Sequence, residues 1–290
     1  MIVPAIVCIA KLEHHYIEEF VKYHLALGFN KIYIYDNEDR PIYQELLRAY
    51  ETSIHVIHYP HNHYEKPVQY MALDHFIKHF MYADDITHIA HIDIDEFIVL
   101  KQHTNIVDFI KDYIHCQDET TNYKNYSNIA GIVMNWRFFG SSGLTERDDR
   151  PATVRFTKCQ MSGDRHYKTL FHKAFFARYH NCHSIIRNRP DFFVVNTRGV
   201  PVFGEFNDNI DFSVIQLNHY KSKTFPEFKY IRSRQRADVI GDIHENIAES
   251  FLHYDINEVE DLYAKEFYEK MGEKPCEKLN ELCEYAYVIQ

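Results

Sequence analysis

The chain has 290 residues, 46% of them hydrophobic and 15% aromatic, which is enough apolar surface for one large domain or two small ones and argues against disorder. The formal charge is −10, of which residues 242–290 carry −9, so the first 241 residues are nearly balanced and offer no global basic surface for nucleic acid. No apolar run approaches the ~18 residues of a membrane helix, and the apolar start lacks a basic leader, so no transmembrane segment or signal peptide is expected.

The first hundred residues alternate strand and helix signals. Residues 2–9 form a continuous apolar run, as in a buried parallel strand. Ile17, Phe20, Val21 and Leu25 recur at helical spacing, and Gly28 stands where a helix-terminating residue belongs. Residues 31–35 read as a second strand ending at Asp36 and Asn37; Pro41 can open a helix through Leu47; residues 54–59 read as a third strand. Pro67 opens a longer helix with Val68, Met71, Ala72, Phe76 and Phe80 on one face, and residues 87–92 are a fourth strand. This order predicts an α/β fold with a parallel sheet, whose ligands sit at the carboxyl ends of the strands. With no glycine-rich phosphate loop in this half, a dinucleotide-binding dehydrogenase and a P-loop enzyme are disfavoured.

The second half is less regular. Strand signals occur at 129–136, 170–177, 192–195 and 215–220, and the chain reads as helical from Pro226 onward. Six cysteines (Cys8, Cys116, Cys159, Cys182, Cys276, Cys283) show no Cys-x-x-Cys spacing, and reduced thiols in a cytoplasmic protein are expected. His180-Asn181-Cys182-His183 could suggest zinc, but no second ligand pair stands at the usual spacing.

The most informative stretch is His91-Ile92-Asp93-Ile94-Asp95-Glu96-Phe97. In an extended chain, residues two apart share a face, so Asp93 and Asp95 would look into one cavity. Two hard oxygen ligands so placed suit Mg²⁺ or Mn²⁺ with phosphate oxygens and water completing the shell. Asp-x-Asp alone is common, but carboxylates embedded in apolar sequence are costly unless paired or metal-bound.

Several ordered blocks then make the chain resemble the glycosyltransferases of the family 2 and family 92 type. They are Lys11-Leu12-Glu13, 19–24 with Leu27-Gly28, 32–37, Gln69, 92–97, 136–143 and His219-Tyr220-Lys221-Ser222-Lys223. The resemblance implies a GT-A fold over residues 1–240, a mixed sheet flanked by helices, with a donor-binding half at about 1–100, an acceptor and metal half at about 129–240, and an acidic helical extension at 241–290. It also implies a nucleotide-sugar donor, a UDP-sugar by expectation, a glycan or other hydroxyl acceptor, inversion at the sugar, and Mn²⁺ or Mg²⁺ as cofactor. The chain departs from the family pattern at Leu12, where Asn is frequent, and shows neither the membrane anchor nor the luminal disulfides of eukaryotic members.

On this reading Asp95 is a direct metal ligand, His219 a third ligand from the last strand, and Asp93 either a ligand or a contact to the donor ribose. Lys11, Glu13, Asp36 and Gln69 would border the base and ribose, although Asp36 can equally form a turn with Asn37. Lys221 and Lys223 would face the diphosphate. Phe139–Gly143 would shape the sugar pocket, with Trp136 and Phe138 stacking on the acceptor. A carboxylate must take the acceptor's proton; of Glu146, Asp148, Asp149, Glu205 and Asp208, the pair Glu146 and Asp148 is favoured because it follows the glycine-serine turn. Rival readings are a metal-dependent phosphohydrolase and a noncatalytic carbohydrate-binding module on the same fold.

Overall fold

The computed structural model describes residues 1–60, 66–115, 128–234, 236–240 and 246–271. In chain order it begins β1 (Pro4–Ala10), α1 (Ile17–Ala26), β2 (Lys31–Asp36), α2 (Tyr43–Leu46), β3 (Ile54–His58), α3 (Val68–Phe76), β4 (His88–His91), β5 (Glu96–Leu100) and α4 (Ile106–Tyr113). There follow β6 (Ile129–Phe138), α5 (Ala152–Arg155), β7 (Lys158–Cys159), β8 (Tyr167–His172), β9 (Phe176–Tyr179), β10 (Ile185–Arg187), β11 (Phe193–Val195) and β12 (Ile215–His219). The described part closes with α6 (Phe225–Arg232), α7 (Ile247–Tyr254), β13 (Val259–Glu260) and α8 (Tyr263–Lys270). No helix among the described residues is long and apolar enough to cross a membrane.

The main sheet runs β3-β2-β1-β4-β8-β6-β12-β5, with β11 beside the start of β6. The first four strands are parallel, as the alternating strand and helix signals require. From β8 onward the sheet is mixed: β8 is antiparallel to both β4 and β6, β12 is parallel to β6, and β5 is antiparallel to β12. Alternation along β1 divides the core. Ile6, Cys8 and Ala10 join the apolar cluster of α1 and α4, while Ala5 and Val7 pack with Ala72, Leu73 and Phe76 of α3 on the other face. The two clusters make a helix–sheet–helix sandwich. Gly28, at φ 102°, ends α1 in a conformation that glycine adopts without strain.

Two local expectations differ. The helix after β2 starts at Tyr43 rather than Pro41, because Asp36 accepts hydrogen bonds from the backbone of Ile42 (3.0 Å) and Tyr43 (3.3 Å) and so fixes where it begins. The strand of the Asp-x-Asp stretch ends at His91, and the amide of Glu96 closes a turn onto the carbonyl of Asp93 at 3.0 Å. This turn shapes the whole sheet. In a flat sheet the β4 and β5 positions would lie about 19 Å apart, four strand spacings of ~4.8 Å. Four residues containing a tight turn cannot span that, so the sheet curls, with Asp93 and Asp95 in the short link that joins its middle to its edge.

Candidate active site

A cavity of about 470 Å³ opens at the carboxyl ends of β1, β2 and β4, walled on the far side by α6, α7 and the segment after α6. Polar side chains gather there because parallel strands end there together. Asp93 and Asp95 both line it. They meet through the turn that closes Asp93 onto Glu96, not through strand alternation as their spacing suggested.

The two carboxylates have different surroundings. Asp93 accepts from Lys168 Nζ at 3.0 Å and from Gln69 Nε2 at 3.1 Å. Lys168 is wholly buried and also lies 3.7 Å from Glu96. Burial works against the charge on Asp93, but Lys168 and His91 more than offset it, and its pKa falls below the ordinary carboxylate value. Burial likewise opposes the charge on Lys168, yet Asp93 and Glu96 hold its proton and raise its pKa. Burial dominates at Glu96 and pushes its carboxyl well up.

Asp95 faces His219, with Oδ2 to Nε2 at 3.5 Å. Burial again opposes its charge, and His219, Lys223 and Arg234 together hold its pKa well below normal. The His219 ring is pushed toward its neutral form by burial, with Asp95 pulling the other way. It is braced against Trp136 and Phe138, with ring centroids at 4.5 and 5.2 Å.

Of the other expected donor contacts, Lys11, Glu13, Gln69 and Lys221 line the cavity. Glu13 pairs with Arg234 at 2.9 Å, while its Oε2 is buried with no hydrogen-bond partner among the described residues. Burial raises its pKa, partly offset by Arg234 and Lys223. Lys221 lies over the Tyr254 ring at 3.9 Å. Asp36 is turned away: the backbone amides of Glu38, Ile42 and Tyr43 satisfy its carboxylate, and its neighbour Asn37 lines the cavity instead. Lys223 is buried over the Tyr16 ring, 4.5 Å from its centroid, and is not a lining residue.

The expected base is displaced too. Glu146 and Asp148 do not line the cavity; Glu146 is exposed, and Asp148 is held by Arg150 at 2.7 Å. Asp149, Glu205 and Asp208 are exposed and also lie outside. The glycine-serine block is not a pocket wall. Ser141 and Ser142 donate backbone N–H groups to Asp255 (2.6 Å) and Asn257 (2.7 Å), and a side chain at Gly140 would collide with Asn257. It anchors the segment after α7, and α7 itself contributes Ile247, Ser250, His253 and Tyr254 to the cavity. The residues past 240, expected as a separate acidic extension, thus include a wall of the site.

Sequence reasoning missed three groups and misplaced a fourth. Lys168 is the buried cation of the carboxylate turn. Arg232, Arg234 and Arg236 form a basic stretch on the far wall. Asp164 and His166 make a lining pair, Oδ1 to Nδ1 at 2.6 Å, with His166 stacked on Trp136 at 5.2 Å. Cys182 and His183 line the cavity rather than forming the zinc motif weighed for them. The Arg-x-Arg-x-Arg spacing at 232–236 was a readable signal; Lys168 and Asp164 carried none. Of the cysteines, Cys8, Cys159 and Cys182 are free and buried, while Cys116, Cys276 and Cys283 lie outside the described residues.

The sequence profile of Glycosyltransferase family 92 matches residues 3–251. The chain belongs to glycosyltransferase family 92. The match spans both halves of the sheet and reaches into α7, so all the lining residues except His253 and Tyr254 lie within it. No protein among those with curated functions matches the chain. As a family 92 glycosyltransferase the protein transfers a glycosyl group from a sugar donor to an acceptor.

Proposed function

We propose that this family 92 enzyme, on a fold of the GT-A type, transfers a sugar from a nucleotide diphosphate donor, a UDP-sugar first among them, to a hydroxyl acceptor, with inversion and with Mn²⁺ or Mg²⁺. The observation that carries the reading is a carboxylate turn facing a wall of guanidinium and ammonium groups across one cavity. A diphosphate is the ligand that meets both, one side through a hard cation and the other through Arg and Lys.

The donor set fits a metal at Asp95. Its carboxylate has His219 as its one side-chain partner within ion-pair distance among the described residues, whereas Asp93 is already neutralised by Lys168. Asp95 and His219 would hold the ion, and Asp93, oriented by Lys168 and Gln69, would accept hydrogen bonds from the donor ribose. When bound, the ion supplies Lewis-acid stabilisation to the leaving diphosphate. Arg232, Arg236 and Lys221 share that charge at the opposite wall. The unpartnered Oε2 of Glu13 is an acceptor for the base or ribose.

For proton removal the Asp164–His166 pair replaces Glu146 and Asp148. Asp164 orients the ring through Nδ1, which leaves Nε2 to take a proton from an acceptor hydroxyl. Trp136 beneath the ring gives a sugar a face to pack on.

The test is thermal denaturation with UDP-, GDP-, dTDP- and CMP-sugars, each with Mn²⁺ and with EDTA. A ligand that binds only the folded state raises Tm. A Mn²⁺-dependent rise with one nucleotide class, absent in Asp95→Ala, is expected. An equal rise in EDTA would remove the metal from the account, and no rise with any donor would favour a phosphohydrolase or a noncatalytic module.

A further inference from the structure

A second cluster of ligating side chains lies at the opposite end of β4. We propose that His88, His115 and His172 form a transition-metal site suited to Zn²⁺, in which the ion staples β4, β8 and the segment after α4. The site is independent of the carboxylate turn, on the order of 15 Å away along the strand.

Geometry carries the proposal. One ring nitrogen from each histidine lies within 4.8 Å of the others. Nitrogens bound at ~2.0–2.1 Å to a tetrahedral Zn²⁺ stand about 3.3 Å apart. His88 and His115 already place their Nε2 atoms 3.0 Å apart. His88 and His172 are direct partners across the antiparallel pair, so their side chains share a face. His115 comes to the same face from just beyond α4, whose Ile106, Phe109 and Ile110 belong to the core cluster there.

The hydrogen bonds accommodate the tautomer that a metal needs. The Thr87 hydroxyl accepts the Val3 amide (2.8 Å) and has the Val3 carbonyl 3.3 Å away as a taker for its proton. His88 Nδ1 lies 2.9 Å from that hydroxyl, which can accept from it when Nδ1 carries the hydrogen. In that tautomer the Nε2 lone pair points at His115. This is the outer-shell arrangement common to metal-binding histidines. Burial keeps the rings unprotonated, pulling His88 down to about 2 and His172 to about 4, with neighbouring rings adding to it. His172 is the weakest of the three ligands, because its Nδ1 accepts from the Ala174 amide at 3.1 Å. Coordination through Nε2 moves the proton to Nδ1 and gives up that contact. Three imidazoles with no carboxylate in the set favour Zn²⁺, Co²⁺, Ni²⁺ or Cu²⁺ over Mg²⁺ or Mn²⁺.

The full chain, stripped with EDTA, is titrated with Co²⁺ and then with Zn²⁺. Expected are intense visible bands of low-coordinate cobalt saturating at one equivalent, displaced by Zn²⁺. They should be absent in His115→Ala and His172→Ala and unchanged in Asp95→Asn. His115 is exposed, so its variant folds even if one at His88 does not. Thr87→Val should weaken Zn²⁺ roughly 10–100-fold, as losses of outer-shell partners do. Bands that survive His115→Ala, bands lost in Asp95→Asn, or no binding at one equivalent would each overturn the proposal. Activity is not the readout, so failure here is distinct from failure of the donor-site reading.

Discussion

The two ends of β4 bury titratable groups by opposite means. At the carboxyl end Asp93 and Asp95 stay ionised because Lys168, His219 and Arg234 surround them. At the amino end His88 and His172 stay neutral because nothing nearby rewards a proton. One end is therefore a field of compensated charge, ready for a hard cation and phosphate oxygens. The other is a set of lone pairs ready for a softer ion. Burial alone does not make a site; what the neighbours do with the charge decides its chemistry.

The largest expected effect removes the compensation. Lys168→Met leaves the buried Glu96 and the partly exposed Asp93 without their cation, a loss of about 3 kcal/mol, the low end for a broken buried pair because water reaches Asp93. Urea denaturation at pH 7 measures it, and a loss under 1 kcal/mol would mean that water or Gln69 already solvates Asp93. Next comes Glu227, which applies the same device between α5 and α6. It accepts from both Arg155 guanidinium nitrogens, at 2.7 and 3.1 Å. Burial opposes its charge, but Arg155, Thr224 and Tyr16 lower its pKa from 4.5 to about 2. Its stabilisation is thus fully present above about pH 4.5 and is lost as pH falls toward 2. Glu227→Gln should cost about 3 kcal/mol at pH 7 and flatten stability between those pH values. An unchanged acid limb in urea titrations would refute it.

Smaller effects follow. Leu12 sits at φ 58°, a left-handed conformation that costs a branched residue roughly 1–2 kcal/mol and that Asn tolerates better. Leu12→Asn, the residue frequent in the resembling family, should stabilise by about 0.5–1 kcal/mol, read as a higher urea midpoint. In EDTA, His115→Ala should change stability by no more than about 0.5 kcal/mol, since the ring is exposed and its contribution depends on the ion.

Much of the fold was legible. Apolar runs gave β1 to β4, helical spacing gave α1 and α3, and Gly28 marked the end of α1, because periodicity and backbone freedom are local properties. That Asp95, His219, Glu13 and Lys11 would gather at one cavity was legible because they sit at strand ends or beside them. Asp36 stood between two roles because both fit one residue, and only the positions of the Glu38, Ile42 and Tyr43 amides show its carboxylate taken up by the backbone. The base was sought at Glu146 and Asp148 because they follow a glycine-serine turn; that turn in fact docks on Asp255 and Asn257, over a hundred residues on. Lys168 and Asp164 were invisible because their partners come from distant strands of a curled sheet.

The most direct measurement is release of nucleoside diphosphate from the donor identified by thermal denaturation, in wild type and Asp95→Asn, with Mn²⁺ and with EDTA. Wild type should turn over in Mn²⁺ and lose activity in EDTA, and Asp95→Asn should fall by about 10²-fold or more in Mn²⁺ while staying folded. Full activity of Asp95→Asn, or activity undiminished in EDTA, would contradict a metal held at the carboxylate turn.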